Sequence, residues 1–360
     1  MRVAIVYNEP SPSRYDTSGE TKAVLGVLDA VAAVQRALLE LGHDIIRLPL
    51  TPSLEQARVK LRSLDVNLVF NLFEGFCGYP ETEALVPEAL SELGIPFTGC
   101  PGTVLDSALD KVRVKVILQA AGIPTPDFQL LNPQTLHLFQ LDYPCIVKPR
   151  GEDASHGINE TSVVDNPARL AKQVQLVADS YGGGALVEEF IDGREFNATV
   201  LGNSQAIVLP VSEIVYWLPA GMPRILTFAA KWQPDSPYFQ DTKVVCPAKI
   251  GIGEREHVAE TALAAFRLLG CQGYARVDMR LDKEGRLNVI EVNPNPDISP
   301  ENGAARQAEA AGLTYIQFIE KIVQLALEKE SHDNPYPPNV TRRQARLDAN
   351  TAEHTRIQAV

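Results

Sequence analysis

Tyr274-Ala275-Arg276-Val277-Asp278-Met279-Arg280-Leu281, the four residues Asp282-Lys283-Glu284-Gly285, and Leu287-Asn288-Val289-Ile290-Glu291-Val292-Asn293 carry the strongest structural signal in this chain. The first segment alternates polar with apolar, the last does so less strictly, and the four residues between them read as a turn. Side chains of a strand alternate between its faces. Arg276 and Asp278 therefore share one side of the first strand, and Glu291 and Asn293 one side of the second. If the strands pair, two carboxylates, an amide oxygen and a guanidinium converge. Hard oxygen ligands of this kind suit Mg²⁺, which normally also takes water and substrate phosphates. The arginine stands where a negative oxygen can be stabilised. A charged hairpin face in water would show the same alternation. Pro294-Asn295-Pro296 favours a site, because it ends the second strand abruptly and fixes the ligands near a loop.

The rest of the chain sets the frame. With 360 residues, 45% of them hydrophobic, it can build two or three domains. A formal net charge of -12 argues against a nucleic-acid binder, which needs a basic surface. Anionic substrates are compatible with it, because local clusters can oppose the global charge. The start, Met1–Tyr7, is too short for a signal-peptide core, and no apolar run approaches the ~20 residues of a membrane span. Cys77, Cys100, Cys145, Cys246 and Cys271 are scattered and lack metal-type spacing. They read as reduced thiols of a cytoplasmic protein, better taken as small core residues than as reactive ones.

Strands are expected at Val3–Tyr7, Asp44–Pro49 and Asn67–Leu72, with a short segment at Pro96–Thr98. Helices are expected at Ala23–Leu41, Leu54–Ser63 and Leu85–Leu93, the first and last stopped by Gly42 and Gly94. This β-α-β-α alternation implies a small parallel α/β domain over residues 1–105. Next come a helix at Asp110–Ala121, strands at Tyr143–Lys148 and Ala185–Phe190, a helix at Pro167–Ser180, and mostly strands over Arg194–Val211. Helices follow at Glu254–Leu269 and Tyr315–Glu328. After about residue 331 the chain turns polar and reads as a poorly ordered or surface-draped tail.

Three further segments bear chemistry. Lys148 ends the apolar run Cys145-Ile146-Val147, and Arg150–Gly157 follows as a glycine-containing loop that can aim N–H groups at phosphates. It lacks the spacing of a P-loop, and a surface turn would look alike. Lys111 follows Asp110 at a helix start, a favourable place for an anion, although a solvated lysine fits equally. Leu186–Ile191 mixes acidic and apolar residues before the turn Asp192-Gly193 and the strand start Arg194-Glu195-Phe196. A flat base could lie on that edge and a carboxylate could accept from ribose hydroxyls; an ordinary hairpin is the alternative.

Taken in this order, the segments resemble the ATP-grasp superfamily, and within it the D-alanine–D-alanine ligase group, over residues 1–330. The resemblance implies an α/β chain with an N-terminal parallel domain (1–105), a central ATP-grasp lid domain (106–195) and a C-terminal mixed-sheet domain with the Mg²⁺ site (196–330). Phosphate-binding lysines match Lys111 and Lys148, with Lys231 as a third basic contact. The loop over the phosphates matches Ala154-Ser155-His156-Gly157, the adenine hinge Glu188-Glu189-Phe190-Ile191, and the ribose carboxylate Glu195. The oxyanion-stabilising arginine matches Arg276, and the ligands of two Mg²⁺ ions, for which Mn²⁺ can substitute, match Asp278, Glu291 and Asn293. Small-molecule partners including ATP and an amino acid, and a homodimer, follow from the same likeness; no nucleic acid or membrane does.

The substrate segments depart from the group. Asn8–Arg14 stands where the group carries a Gly-Gly turn and a Glu-Arg-Glu segment, and Glu74 stands where a histidine is usual. Ala154 replaces a serine, Trp232 a tyrosine, and Asn302 falls near the usual place of another serine. Lost hydroxyls remove discrimination, so the expected substrate is not D-alanine. Glu74, Trp232, Asp297, Ser299 and Asn302 are the expected substrate residues. The expectation is an ATP-dependent C–N ligase with Lys231 and Arg276 as catalytic groups. Mycosporine-like amino acid synthetases of the same group, which join serine, threonine or glycine to mycosporine-glycine, fit Ala154 and Trp232 as walls for a rigid ring. A dipeptide or D-alanine–D-alanine ligase is the alternative, and an ATP-binding module without ligase chemistry the alternative of another class.

Overall fold

The computed structural model describes residues 1–11, 13–15 and 26–328. The tail expected after residue 331, and positions 23–25 of the first expected helix, lie outside the described residues.

Strands β1 (Arg2–Asn8), β2 (Asp44–Leu50) and β3 (Leu68–Leu72) form a parallel sheet in the order β2-β1-β3. All of β1 but Arg2 is buried, as expected of a central parallel strand covered on both faces. The helix Val27–Glu40 lays Val27, Ala30, Val31, Val34, Ala37 and Leu38 into the core, the spacing of an amphipathic helix. The short segment expected at Pro96–Thr98 makes only a single parallel bridge, from Phe97 to Val69.

Strands β4 (Phe128–Leu131), β5 (Cys145–Pro149), β6 (Val163–Val164) and β7 (Ala185–Glu189) form an antiparallel sheet in the order β4-β7-β5-β6. The buried side of the helix Pro167–Tyr181, with Leu170, Val174 and Val177, shares a core with this sheet. The third sheet contains β8 (Glu195–Leu201), β9 (Ile207–Val208), β10 (Ser212–Tyr216), β11 (Thr242–Val245), β12 (Tyr274–Leu281) and β13 (Leu287–Asn293). Its order is β11-β10-β8-β12-β13, with β9 on β8. Val258, Ala262, Ala265 and Phe266 of the helix Ile252–Leu268 fill one of its faces.

Four α-helices escape the sequence reading: Gly102–Leu109, Phe228–Trp232, Pro237–Gln240 and Gly303–Ala310. Two begin with glycine, a poor helix former, and all are too short to show a clear apolar period. Among the described residues, no helix is long and apolar enough to cross a membrane.

The β12–β13 hairpin sets the chemistry. Arg276 lies opposite Asn293 and Asp278 opposite Glu291; beyond them Met279 lies opposite Val289, so Ile290 is an extra residue, a bulge. A bulge breaks the period-two alternation. Val289 and Val292 are both buried in the core although two residues, an even number, stand between them. That parity change is the reason the sequence of β13 alternates less strictly, and it places both Ile290 and Glu291 on the cleft wall.

Candidate active site

A cleft opens between the second and third sheets. Lys111, Lys148, Lys231, Asp278 and Glu291 line one part of it. Ile146, Phe190, Ile191, Ile225, Leu226 and Ile290 add apolar walls, and Glu152, Glu188, Glu189, Glu195 and Arg280 line it as well. Lys111 opens the helix Lys111–Ala120, whose start is capped by Asp110: its carboxylate accepts from the amides of Val112 and Arg113. Arg150 braces the same carboxylate, with Nε 2.8 Å from Oδ1. Lys111 is thereby held at a helix N-terminus facing the cleft.

Glu291 and Asp278 on the cleft wall each carry a cation. Lys111 Nζ is 2.7 Å from Glu291 and donates to the Glu152 carbonyl at 2.6 Å. Burial works to raise the Glu291 carboxyl, but Lys111, Lys148 and Arg276 outweigh it and hold it well below the usual range. Arg276 grips Asp278 through Nε at 2.8 Å and Nη2 at 2.9 Å, and Asn197 donates to the same carboxylate. Asn293 is engaged within its own loop, its amide oxygen accepting from the Asn295 amide. Lys231, in the helix Phe228–Trp232, has its ammonium form disfavoured by burial and by Arg276.

The chemistry of this donor set fits Mg²⁺. Asp278 and Glu291 are register partners on one cleft wall, and Asn293 follows on the same strand. Among the described residues, no three His, Cys, Asp or Glu side chains gather closely enough to hold a metal. The protein thus offers part of a coordination sphere, the arrangement Mg²⁺ takes when waters and phosphates complete it.

Glu188, expected in the adenine hinge, lines the cleft with its buried side chain between two lysines. Its carboxylate is 3.1 Å from Lys115 Nζ and 2.9 Å from Lys148 Nζ. Burial opposes its ionisation, yet the two ammonium groups outweigh burial and keep it below its usual range. Lys115 is 2% exposed and donates to Thr125 Oγ1 at 2.8 Å. Thr125 in turn donates to the Val289 carbonyl beside the bulge. Burial, with help from Lys148, brings the Lys115 ammonium down to about 8. The sequence reading passed over Lys115; its signal was the i, i+4 spacing from Lys111, which puts both on one helix face.

The hinge backbone is already engaged: the Glu189 and Phe190 amides donate to Asp127 and Pro144, and the Ile191 carbonyl accepts from Arg280. Glu195, expected on ribose, lines the cleft but accepts from Arg280 Nε at 3.0 Å and from the Tyr216 hydroxyl at 2.7 Å. Arg280 was also unassigned in the sequence, although it continues the Arg276, Asp278 face of β12. Ser155 lines the cleft and ties its loop to Leu226, Oγ to carbonyl, at 3.0 Å. His156 is buried and stacks on Tyr15, with ring centroids 3.8 Å apart. Gly157 has φ +74, and a Cβ there would sit 2.8 Å from Pro149 and Tyr181. Glu152 links this loop to the N-terminal segment, accepting from the Tyr15 hydroxyl at 2.5 Å and from Arg14. Neither contact was legible in the sequence.

The expected substrate residues gather partly in a second place. Asp297 accepts from the Ser299 amide at 2.7 Å and from Asn302 Nδ2. Trp232 stands apart from these, beside Phe228 at 6.3 Å between ring centroids. Glu74 follows β3, anchored by its amide to Asn8 Oδ1 at 3.1 Å. Glu74 is exposed to water, and desolvation by the surrounding protein and then Asp297 push its carboxyl up. Glu83 is likewise raised to about 8, by burial and then Asp153, against the help of Asn295.

Glu83 makes a pH prediction. A carboxyl raised from about 4.5 to about 8 on folding adds stability below its unfolded value and loses it as pH rises through the folded value. Glu83→Gln should therefore lessen the fall in the urea midpoint between pH 5 and pH 8. Equal falls in the two proteins would refute the burial of this group.

Residues 117–324 match the family model described as the D-ala D-ala ligase C-terminus. An uncharacterized protein of Sinorhizobium fredii, y4sG, is 36% identical over 264 residues, covering 72% of this chain and 74% of its own. The D-alanine–D-alanine ligase of Carboxydothermus hydrogenoformans is 29% identical over 308 residues, covering 82% and 92%. Among solved structures, the D-alanine–D-alanine ligase of Bacillus anthracis superposes with a TM-score of 0.70 at 22% identity, over 91% of this chain and 97% of that one.

Proposed function

The chain belongs to the D-alanine–D-alanine ligase family, of ATP-grasp fold, and from that premise we propose how its own residues carry out ATP-dependent, ADP-forming C–N ligation. The observation that supports the reading is the cleft itself, which brings Lys111, Lys148 and Lys231 together with Asp278 and Glu291 beside apolar walls.

Lys111, Lys148 and Lys231 would bind the phosphates and neutralise charge as the γ-phosphoryl group moves to an oxygen of the first substrate. Asp278, Glu291 and Asn293 would hold Mg²⁺, which supplies charge neutralisation across the phosphates. The apolar walls Ile146, Phe190, Ile225 and Leu226 suit a flat base. The loop carrying Ala154 and Ser155, held at φ +51 and +63, would exclude water from the activated substrate. Arg276 would stabilise the oxyanion formed when the amine of the second substrate attacks.

Glu74 and Trp232 support a substrate other than D-alanine. The finer assignment, joining serine, threonine or glycine to mycosporine-glycine, draws on Ala154 and Trp232, neighbours of cleft-lining Ser155 and Lys231. The test is phosphate release from Mg·ATP with D-alanine, L-amino acids singly and in pairs, and mycosporine-glycine with each of its three partners, products being identified by mass. A ligated product with ADP is expected in one arm. Tight ATP binding with no product in any arm would favour a non-catalytic module.

A further inference from the structure

We propose, resting on the ligase reading, that Lys115 is a positioning residue of the nucleotide site, which ties Lys148 on one wall of the cleft to the strand that carries Glu291 on the other. Lys115 lies one turn after Lys111 on the helix Lys111–Ala120. Its ammonium reaches two ways. Nζ is 3.1 Å from Glu188 Oε1 and donates to Thr125 Oγ1 at 2.8 Å.

The first contact sets the charge beside Lys148. Glu188 divides its carboxylate, Oε1 to Lys115 and Oε2 to Lys148 at 2.9 Å. Two ammonium groups against one carboxylate leave one positive charge over, and Lys148 lines the cleft. An ammonium has three donors, so Lys148 keeps donors for an anion while Glu188 fixes its position. Without Lys115, both oxygens of Glu188 are free for Lys148, and the cluster becomes neutral.

The second contact sets the strand under Glu291. β13 is the end strand of its sheet, and residues 124–125 close its outer edge. The Val289 amide donates to the Pro124 carbonyl at 2.8 Å, and the Val289 carbonyl accepts from the Thr125 hydroxyl at 2.8 Å. Val289 stands directly before the bulge, and Glu291 directly after it. A hydroxyl has one proton to give. Thr125 gives it to Val289, so its oxygen is turned to accept from Lys115. Lys111, on the same helix face, meets the Glu291 carboxylate at 2.7 Å. One helix face thus holds the carboxylate and, through Thr125, the backbone that presents it.

Packing alone does not call for this lysine. Glu188 already has Lys148 as a counter-ion, and an apolar side chain of similar volume often serves as well as a buried ion pair or better. Burial disfavours the Lys115 ammonium, and the contacts toward both walls offset that cost.

The test is calorimetry of the full chain with ADP, once in EDTA and once at saturating Mg²⁺, the ratio of the two affinities being the gain from the metal. Thr125→Val keeps Lys115 on Glu188 and loses the hydroxyl. It should bind ADP in EDTA within about twofold of the wild type and lose about fivefold or more of the Mg²⁺ gain. Thr125→Ser keeps the hydroxyl and should hold that gain within about twofold of the wild type. Lys115→Met should lose the Mg²⁺ gain and also bind ADP about fivefold or more weaker in EDTA. Urea unfolding shows that each variant is folded under the assay conditions. A lysine with a structural role alone would lower the unfolding midpoint and leave the affinities of the folded protein unchanged. Unchanged affinities in folded Lys115→Met, or an undiminished Mg²⁺ gain in Thr125→Val, would overturn the inference. If Lys115→Met does not fold, the valine and serine variants decide. A wild-type chain that binds ADP under neither condition, or gains nothing from Mg²⁺, would instead strike the ligase reading and its metal site.

Discussion

Glu291→Gln should leave a folded protein that no longer releases ADP, with turnover lowered by about 10³-fold or more, the equivalent of about 4 kcal/mol of lost transition-state stabilisation. Glu291 faces Asp278 across the hairpin, and the bulge turns it to the cleft, 2.7 Å from Lys111. The amide keeps the size and a hydrogen-bond acceptor for Lys111 but loses the charge a divalent cation needs. Glu291→Ala removes the acceptor too and leaves Lys111, 8% exposed, with the Glu152 carbonyl and Asp153 as its remaining partners. The alanine variant should therefore also be less stable than the glutamine variant. Single-turnover ADP formation at saturating Mg²⁺, beside urea unfolding of both variants, reads the two effects separately. Turnover retained in Glu291→Gln would sink the metal assignment.

Glu188→Ala should destabilise the protein by about 3–5 kcal/mol, because it leaves two buried ammonium groups without their shared carboxylate. Glu188 and Lys115 are both 2% exposed in their side chains, and Lys148 is 9% exposed. Adding Lys115→Met to Glu188→Ala should recover part of that loss, since a buried methionine needs no counter-charge. Lys115→Met alone should be milder, because Glu188 keeps Lys148. The double-mutant cycle in urea unfolding measures the coupling directly. ATP binding should weaken in Glu188→Ala, because Lys148 is no longer held in place. A Glu188→Ala protein within about 1 kcal/mol of the wild type would show that the pair contributes little in the interior.

Much of the frame was legible in the sequence because it rests on local periodicity. The run Val3–Tyr7 read as a buried strand, and β1 is the centre of the first sheet. The helix from Lys111 was legible from its apolar spacing and from Gly122, which ends it at φ +73. Helices such as Gly303–Ala310 were not, because alanine and glycine leave no strong apolar stripe to read.

The cleft was legible only in part. Lys111, Lys148, Asp278 and Glu291 stand at element ends or on an alternating strand, where residue type and position coincide with a role. Lys115 stands inside a helix, where a lysine ordinarily meets water. Only the packing of Thr125, Glu188 and Lys148 around it makes it a buried cation. Glu195 looked open for a ribose, but Arg280, 85 residues away, occupies it. Glu83 and Asn295 are more than 200 residues apart in sequence, and no local pattern tells that their side chains meet.

The chain's own pattern determined its strands, most of its helices and which side chains share a strand face, because these follow from backbone geometry repeating every two or 3.6 residues. Tertiary structure alone decided which charges meet: Glu188 between two lysines, Arg280 on Glu195, Arg14 on Glu152. Charge partners are selected by burial and by contacts between distant segments, and neither has a period along the chain.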